Sequence, residues 1–227
     1  MSRYVISDIH GCSRTVRKLV ENLQLTSDDQ LYFLGDYIDR GPSSSGVLDF
    51  MIELQESNLN CYFIRGNHEE NMLYAEKNYN PRMFMKFIQR INKSGDLLNE
   101  RGKFISKYRT FIQSTKLYYE LNDFWLVHAG FDFRKDDILE DEVAMLEIRK
   151  MEYDAEKAKG KRIVHGHQVT YFEEIQRRID EGEMVIALDN GCVYRKPHKI
   201  YNFKKLGTLC CLNLDTMEII QQKCLDK

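Results

Sequence analysis

Short apolar runs recur along the chain, each closed by Gly, Asp, Asn or His: 3-RYVIS-7, 31-LYFL-34, 60-NCYFIR-65, 124-FWLV-127, 162-RIV-164 and 184-MVIAL-188. Their Val, Ile, Tyr and Phe content predicts strands. Between several of them the period changes to that of a helix. Val16, Leu19, Val20 and Leu23 share one face, as do Val47, Leu48, Met51 and Ile52. Ser43 to Ser45 are N-cap candidates for the second helix, and Pro42 suits its first turn. Alternating strand and helix argues for an α/β layer architecture. The end of the chain differs: 208-TLCCLNL-214, Asp215-Thr216 and 217-MEIIQQ-222 predict an antiparallel hairpin over 208–222. The widest gap between strands, from Glu69 to Asp123, holds helical patterns at 81-PRMFMKFIQRI-91 and 102-GKFISKYRTFI-112. No repeat or linker interrupts the pattern, so we expect a single domain over 1–227, with a helical insertion over 69–123.

A chain of 227 residues can bury a sizeable core, and 43% hydrophobic with 30% charged residues is an ordinary globular balance. Net charge is −2, so the chain as a whole is not built to bind a polyanion, and nucleic acid is not expected as a partner. Charge is nonetheless uneven. From Lys77 to Lys116, ten Lys and Arg face two acids, a local +8 that leaves −10 for the remainder. This reads as a solvated helical face or as a basic cap beside an anion site. A second basic stretch, Arg195 to Lys205, carries no functional reading. No run approaches the roughly 18 apolar residues of a membrane span. Met1-Ser2-Arg3 leads directly into the first strand, and the six cysteines show no C-x-x-C pair. A cytoplasmic chain with free thiols, mostly buried in strands, is expected.

The chemistry lies at the strand ends. The first strand ends in Asp8-Ile9-His10-Gly11, and the second in Gly35-Asp36-Tyr37-Ile38-Asp39-Arg40-Gly41. The third ends in Arg65-Gly66-Asn67-His68-Glu69, the fourth in His128-Ala129-Gly130 and the fifth in His165-Gly166-His167. In open α/β sheets ligands sit at the carboxyl ends of strands. Here each end carries a carboxylate, amide or imidazole beside a glycine. Asp8 and His10 are two apart, so an extended stretch would turn both to one side. Mixed oxygen and imidazole donors suit Mn, Fe or Zn better than Ca or Mg. Six such positions exceed one tetrahedral site and match two metals sharing a carboxylate.

The ordered set D8-x-H10-G11, G35-D36-x-x-D39-R40-G41, G66-N67-H68-E69, H128-A129-G130 and G166-H167 resembles the calcineurin-like metallophosphatase superfamily. Within it, the set is similar to the serine/threonine phosphoprotein phosphatase branch in its compact bacterial and phage form. The resemblance runs from Tyr4 to about Tyr194. It implies a β-sandwich of two mixed sheets flanked by helices, with the insertion as a cap beside the site. It also implies two divalent transition-metal ions, manganese first, with iron or zinc as alternatives. Asp8 and His10 would hold the first metal, Asp36 would bridge, and Asn67, His128 and His167 would complete the second. His165 stays outside this set. Arg40 and Arg65 would grip substrate phosphate, their planar forks matching its oxygens, and Arg149 in 145-MLEIRKMEY-153 is a third candidate. Asp39 would orient His68 as general acid towards the leaving seryl or threonyl oxygen.

The implied reaction is direct attack of metal-activated water on a phosphomonoester, with a phosphoprotein or phosphopeptide as substrate. The alternative is a dinucleoside polyphosphate hydrolase, which shares most of these motifs but usually lacks the second aspartate of D-x-x-D-R-G. Asp39 places the phosphomonoester ahead. An inactive phosphoprotein-binding module is disfavoured, because every ligand type and His68 are present. The chain lacks the carboxyl-terminal signature of the eukaryotic members and carries 188-LDNGCVYRKP-197 instead, similar to a segment of the bacterial branch.

Overall fold

Two mixed sheets face each other across a shared core in the computed structural model, which describes residues 1–194 and 202–226. In the first sheet, β1 (Arg3–Ile6) pairs in parallel with β2 (Gln30–Phe33), and β2 with β3 (Asn60–Phe63). The second sheet holds β4 (Tyr118–Glu120), β5 (Phe124–Val127), β6 (Arg162–His165) and β7 (Val185–Ala187). The last three of these are parallel, and β4 lies antiparallel at the edge. Finally β8 (Thr208–Asn213) returns antiparallel to β1 and turns into β9 (Ile219–Lys223). The expected α/β sandwich is therefore observed.

The central parallel strands β2, β5 and β6 are short and largely buried on both faces, which is why their sequences read as apolar runs. Along β1, Val5 faces the opposing sheet while Ile6 faces the outer helices. Tyr32 and Leu34 likewise point between the sheets, towards Leu126, Val164 and Ile186, whereas Leu31 and Phe33 point outward. The outer layer on the first sheet is α1 (Ser13–Leu23) and α2 (Ser44–Gln55), whose buried residues are the faces expected from periodicity. Ser43 caps α2, its side chain accepting from Gly46 N at 3.1 Å, so Pro42 precedes the cap rather than sitting in the first turn.

The insertion comprises α3 (Asn67–Asn78), α4 (Pro81–Lys86) running into a π-helical turn at Phe87–Asn92, and α5 (Ser106–Ser114). Phe84, Ile88, Phe104, Phe111 and Ile112 join the same outer core as Leu48 and Met51, so it is packed onto the sandwich. The region is not purely helical, since β4 lies within it. Three residues are too few to show a period, and only pairing with β5 makes them a strand. Further along the chain lie two short α-helices, α6 (Glu142–Glu147) and α7 (Phe172–Asp180). Among the described residues, no helix is long and apolar enough to cross a membrane. Of the basic stretch Arg195 to Lys205, residues 195–201 lie outside the described residues.

Candidate active site

Parallel strands deliver their carboxyl ends to one edge, and Asp8, Asp36, His10, Asn67, His68 and His128 lie around one another there. Asp36 is at the centre. One of its oxygens lies 3.4 Å from His10 Nε2, and the other lies 3.5 Å from His128 Nε2. Asp36 thus belongs to two groups of potential metal donors, one with His10 and His68 and one with Asp8 and His128. Within each group the donor atoms lie within 4.8 Å of one another.

The imidazoles are presented as ligands. His10 donates from Nδ1 to the Ile38 carbonyl at 2.9 Å, and His128 donates from Nδ1 to that of Leu34 at 2.8 Å. Those bonds fix the tautomer and turn each Nε2 lone pair towards Asp36. Burial lowers the pKa of both rings, keeping them neutral as ligands require. His167 is held by its backbone N–H, which donates to both Asp8 oxygens at 3.0 and 3.1 Å. Burial, with His128 alongside, pushes its ring down to about 3, and its buried Nε2 has no hydrogen-bond partner. Asn67 is the first residue of α3; its Oδ1 lies 3.1 Å from His128 Nε2 while its Nδ2 donates to Glu147 at 3.2 Å.

Several features explain how the loops reach this geometry. The backbone turns at His10, with φ +47°, so Asp8 and His10 are not placed by the extended alternation expected from their spacing. His10 N donates to the Asp36 carbonyl at 2.8 Å, stitching the first loop to the second. Glu69, buried, accepts four backbone N–H bonds, from Asp36, Tyr37, Ile38 and Gly66, and so clamps the Asp36 loop to the start of α3. Gly66 and Gly166 are required for approach: a Cβ on either would collide with the carboxylate of Asp36 or Asp8 respectively.

The donor set fits a pair of divalent cations. Burial, reinforced by Asp189 and Asp36, pushes the Asp8 carboxyl well above its ordinary range, a cost that cations would remove. The orphaned His167 Nε2 is the expected partner for a cation in the same place. The resemblance gives Asp8 and His10 to one ion and Asn67, His128 and His167 to the other, with Asp36 shared; the donor atoms themselves group Asp8 with His128 and His10 with His68, and Asp36 belongs to both groups.

His68 stands beside this centre. Its Nδ1 lies 2.5 Å from Asp39 Oδ2, and Asp39 is fully buried. Burial opposes charging the ring, but Asp36 and the bond to Asp39 outweigh it, so the His68 pKa is raised. The Ser94 hydroxyl donates to the other Asp39 oxygen, and the Asp39 N–H donates to Ser44 Oγ at 3.0 Å.

The three arginines diverge. Arg40 reaches the centre, with Nη1 at 2.6 Å from His10 Nε2. Arg149 is exposed, and its charge bears on His167. Arg65 does not reach the site, which corrects its expected role. Its guanidinium donates to the carbonyls of Ile112, Gln113 and Thr115 at 3.3 Å and to Glu70 at 3.0 Å, closing the end of α5. A cation at a helix carboxyl terminus is satisfied there and has no fork left for phosphate.

Sequence reasoning missed Ser94, Ser44, Glu147 and Asp189. Asp189 is buried, accepts from Gly191 N at 2.7 Å and is pushed up by burial to about 6. It lies in 188-LDNGCVYRKP-197, and its place after an apolar strand is the one signal that marks it. His165 is buried with Nδ1 on the Gly166 carbonyl at 3.0 Å, outside the donor groups.

Fold and site together define a metallophosphoesterase. The calcineurin-like phosphoesterase family model matches residues 1–203, and the chain belongs to that family. Its curated relatives include symmetrical bis(5'-nucleosyl)-tetraphosphatases. The one from Vibrio campbellii is 28% identical over 57% of this chain and 45% of its own length. The one from Pseudomonas fluorescens is 31% identical over 57% of this chain and 42% of its own length. The chain thus spans less than half the length of these relatives. Among solved structures, a candidate diadenosine tetraphosphatase superposes with TM-score 0.64 at 17% identity, covering 100% of this chain and 95% of that one. A serine/threonine phosphatase from Saccharomyces cerevisiae gives 0.59 at 18%, covering 100% and 81%. At these identities the structural likeness concerns the fold.

Proposed function

We propose that this chain is a metal-dependent phosphohydrolase acting on a dinucleoside polyphosphate such as diadenosine tetraphosphate. The chemistry rests on one observation, the convergence of two donor groups on Asp36. The substrate class is supported by the curated relatives, which are named as symmetrical tetraphosphatases. This reverses the order suggested by Asp39 in the sequence, where the phosphomonoester stood first.

Divalent cations, when bound at these donors, supply an activated water and neutralise the oxygens of the group being transferred. The protein's own residues do the remainder. Arg40 places its guanidinium on the first donor group, where it would hold a phosphate oxygen. Glu69 and the hydrogen-bonded loops keep Asp36 rigid, so orientation costs little when substrate arrives. Asp39 accepts from His68 Nδ1 and, together with Asp36, favours the imidazolium form, in which Nε2 also carries a proton. In an anhydride the leaving group is itself a phosphate, so His68 would act there chiefly by donating a hydrogen bond to a phosphoryl oxygen.

A second reading, hydrolysis of phosphoserine or phosphothreonine, is favoured by the Asp39–His68 pair itself. An alkoxide is a poor leaving group and needs the proton that a buried, carboxylate-paired imidazole supplies. One assay of the metal-reconstituted chain separates them, comparing diadenosine tetraphosphate, a phosphoserine peptide and a phosphotyrosine peptide by kcat/KM. We expect the tetraphosphate to lead. A phosphopeptide turned over faster than the tetraphosphate would overturn the first reading in favour of the second. Asp36→Asn should abolish all three activities and reduce metal content, and full metal content in that variant would sink the shared-carboxylate assignment.

A further inference from the structure

A third donor group, this one of sulfur, adjoins the loops that carry His10 and Asp189. Cys12, Cys192 and Cys224 come from three remote segments: the turn after His10, the loop after Asp189 and the tail after β9. Their sulfur atoms all lie within 4.8 Å of one another, and Cys12 Sγ and Cys224 Sγ are 3.7 Å apart. Cys12 and Cys192 are buried and Cys224 is half-buried, so the group has one side towards solvent.

We propose that these three cysteines form a structural site for a thiophilic divalent cation, zinc before others, separate from the centre at Asp36. The spacing carries the argument. Zn–S bonds of about 2.3 Å in a tetrahedron set sulfur–sulfur distances of about 3.8 Å, which is the Cys12–Cys224 separation already present. Three thiolates leave the fourth position to a water on the Cys224 side. Binding releases the thiol protons to solvent and consumes no other reactant.

The tail is built to stay in place. The Asp226 carboxylate accepts from Arg14 N at 3.0 Å, Thr15 N at 2.9 Å and Thr15 Oγ1 at 2.6 Å, capping the first turn of α1. Thr15 Oγ1 also lies 3.6 Å from Cys224 Sγ. A cation here ties the tail to the two loops that carry His10 and Asp189. None of the three cysteines has a role in hydrolysis, so the site would brace the catalytic loops.

Cobalt is the probe, because thiolate ligation gives a near-ultraviolet sulfur-to-cobalt charge-transfer band that oxygen and imidazole ligands cannot produce. The full chain, stripped of metal and titrated with cobalt, should show this band. It should vanish in Cys224→Ser and persist in Asp36→Asn and in Cys61→Ser. A measurement on the unmodified chain guards against a variant that fails to fold: X-ray absorption of the zinc-loaded protein should include a sulfur shell at about 2.3 Å. Cobalt or zinc bound with only oxygen and nitrogen neighbours overturns the proposal. So does a Cys12–Cys224 disulfide in the non-reduced protein that persists when zinc is supplied under thiol-reducing conditions.

Discussion

His68 Nδ1 lies 2.5 Å from Asp39 Oδ2, and the other oxygen of that buried carboxylate accepts the hydroxyl of Ser94, 55 residues further along the chain. The imidazole is thus anchored through the insertion as well as through its own loop. Asp39→Asn replaces the acceptor facing His68 with an amide that cannot stabilise the imidazolium. For an alkyl phosphate we expect kcat to fall by about 10²–10³, within the usual worth of general acid catalysis. For a nitrophenyl ester, whose leaving group needs little protonation, the loss should be much smaller, and metal content should not change. Equal losses on both esters would remove His68 from the proton-donor role.

Asn67 turns its oxygen to His128 while its amide nitrogen donates to Glu147, 80 residues away. Partners of this kind orient ligands, and losing one typically weakens metal binding by about 10–100-fold. Glu147→Ala should therefore weaken one of two metal-binding steps in calorimetric titration. Glu142→Ala, at the other end of α6, serves as control. Identical titrations for both variants would show that Glu147 does not position the amide.

The basic insertion touches the site loop directly, since Arg40 N donates to the Asn92 carbonyl at 3.1 Å. Part of its charge is spent internally: Lys107 pairs with Asp49, and Arg109 with Glu76. Lys86, Arg90, Lys93 and Lys103 remain exposed. Reversing these four to Glu should raise KM for diadenosine tetraphosphate or an acidic phosphopeptide at low salt. Turnover should stay nearly constant, and the difference should fade as salt shortens the screening length below about 10 Å. An unchanged KM at low salt would leave this region a solvated face.

His165, buried at the end of β6, is pushed down by burial to about 4 from an ordinary 6.5. Between those values the unfolded chain binds a proton that the folded chain refuses. Folding stability from this group is thus fully present above about pH 6.5 and is lost on acidification towards about pH 4. The difference amounts to about 3 kcal/mol at most. Denaturant titrations of wild type and His165→Gln across that window should show a shallower pH slope in the variant. Parallel slopes would exclude His165 as a source of acid sensitivity.

The sequence by itself determined the chemistry-bearing loops and the layer class. Asp8, His10, Asp36, Asn67, His128 and His167 each follow an apolar run. In parallel strands that local rule is enough to bring them to one edge, because every carboxyl end points the same way. The helices α1 and α2 were legible for a similar reason, since a 3.6-residue period is written in neighbouring positions. Tertiary structure decided whatever depends on remote partners. Arg65 and Arg40 both border glycine-rich ligand motifs, yet one closes α5 and the other faces His10, a choice made by the carbonyls that packing brings near. The strand β4 exists only through its pairing with β5. Ser94 on Asp39, Glu147 on Asn67 and Cys224 on Cys12 likewise join side chains separated by 55, 80 and 212 residues. A hydrogen bond or sulfur contact over such a separation leaves no period and no spacing in the sequence, because only the closed fold sets its geometry.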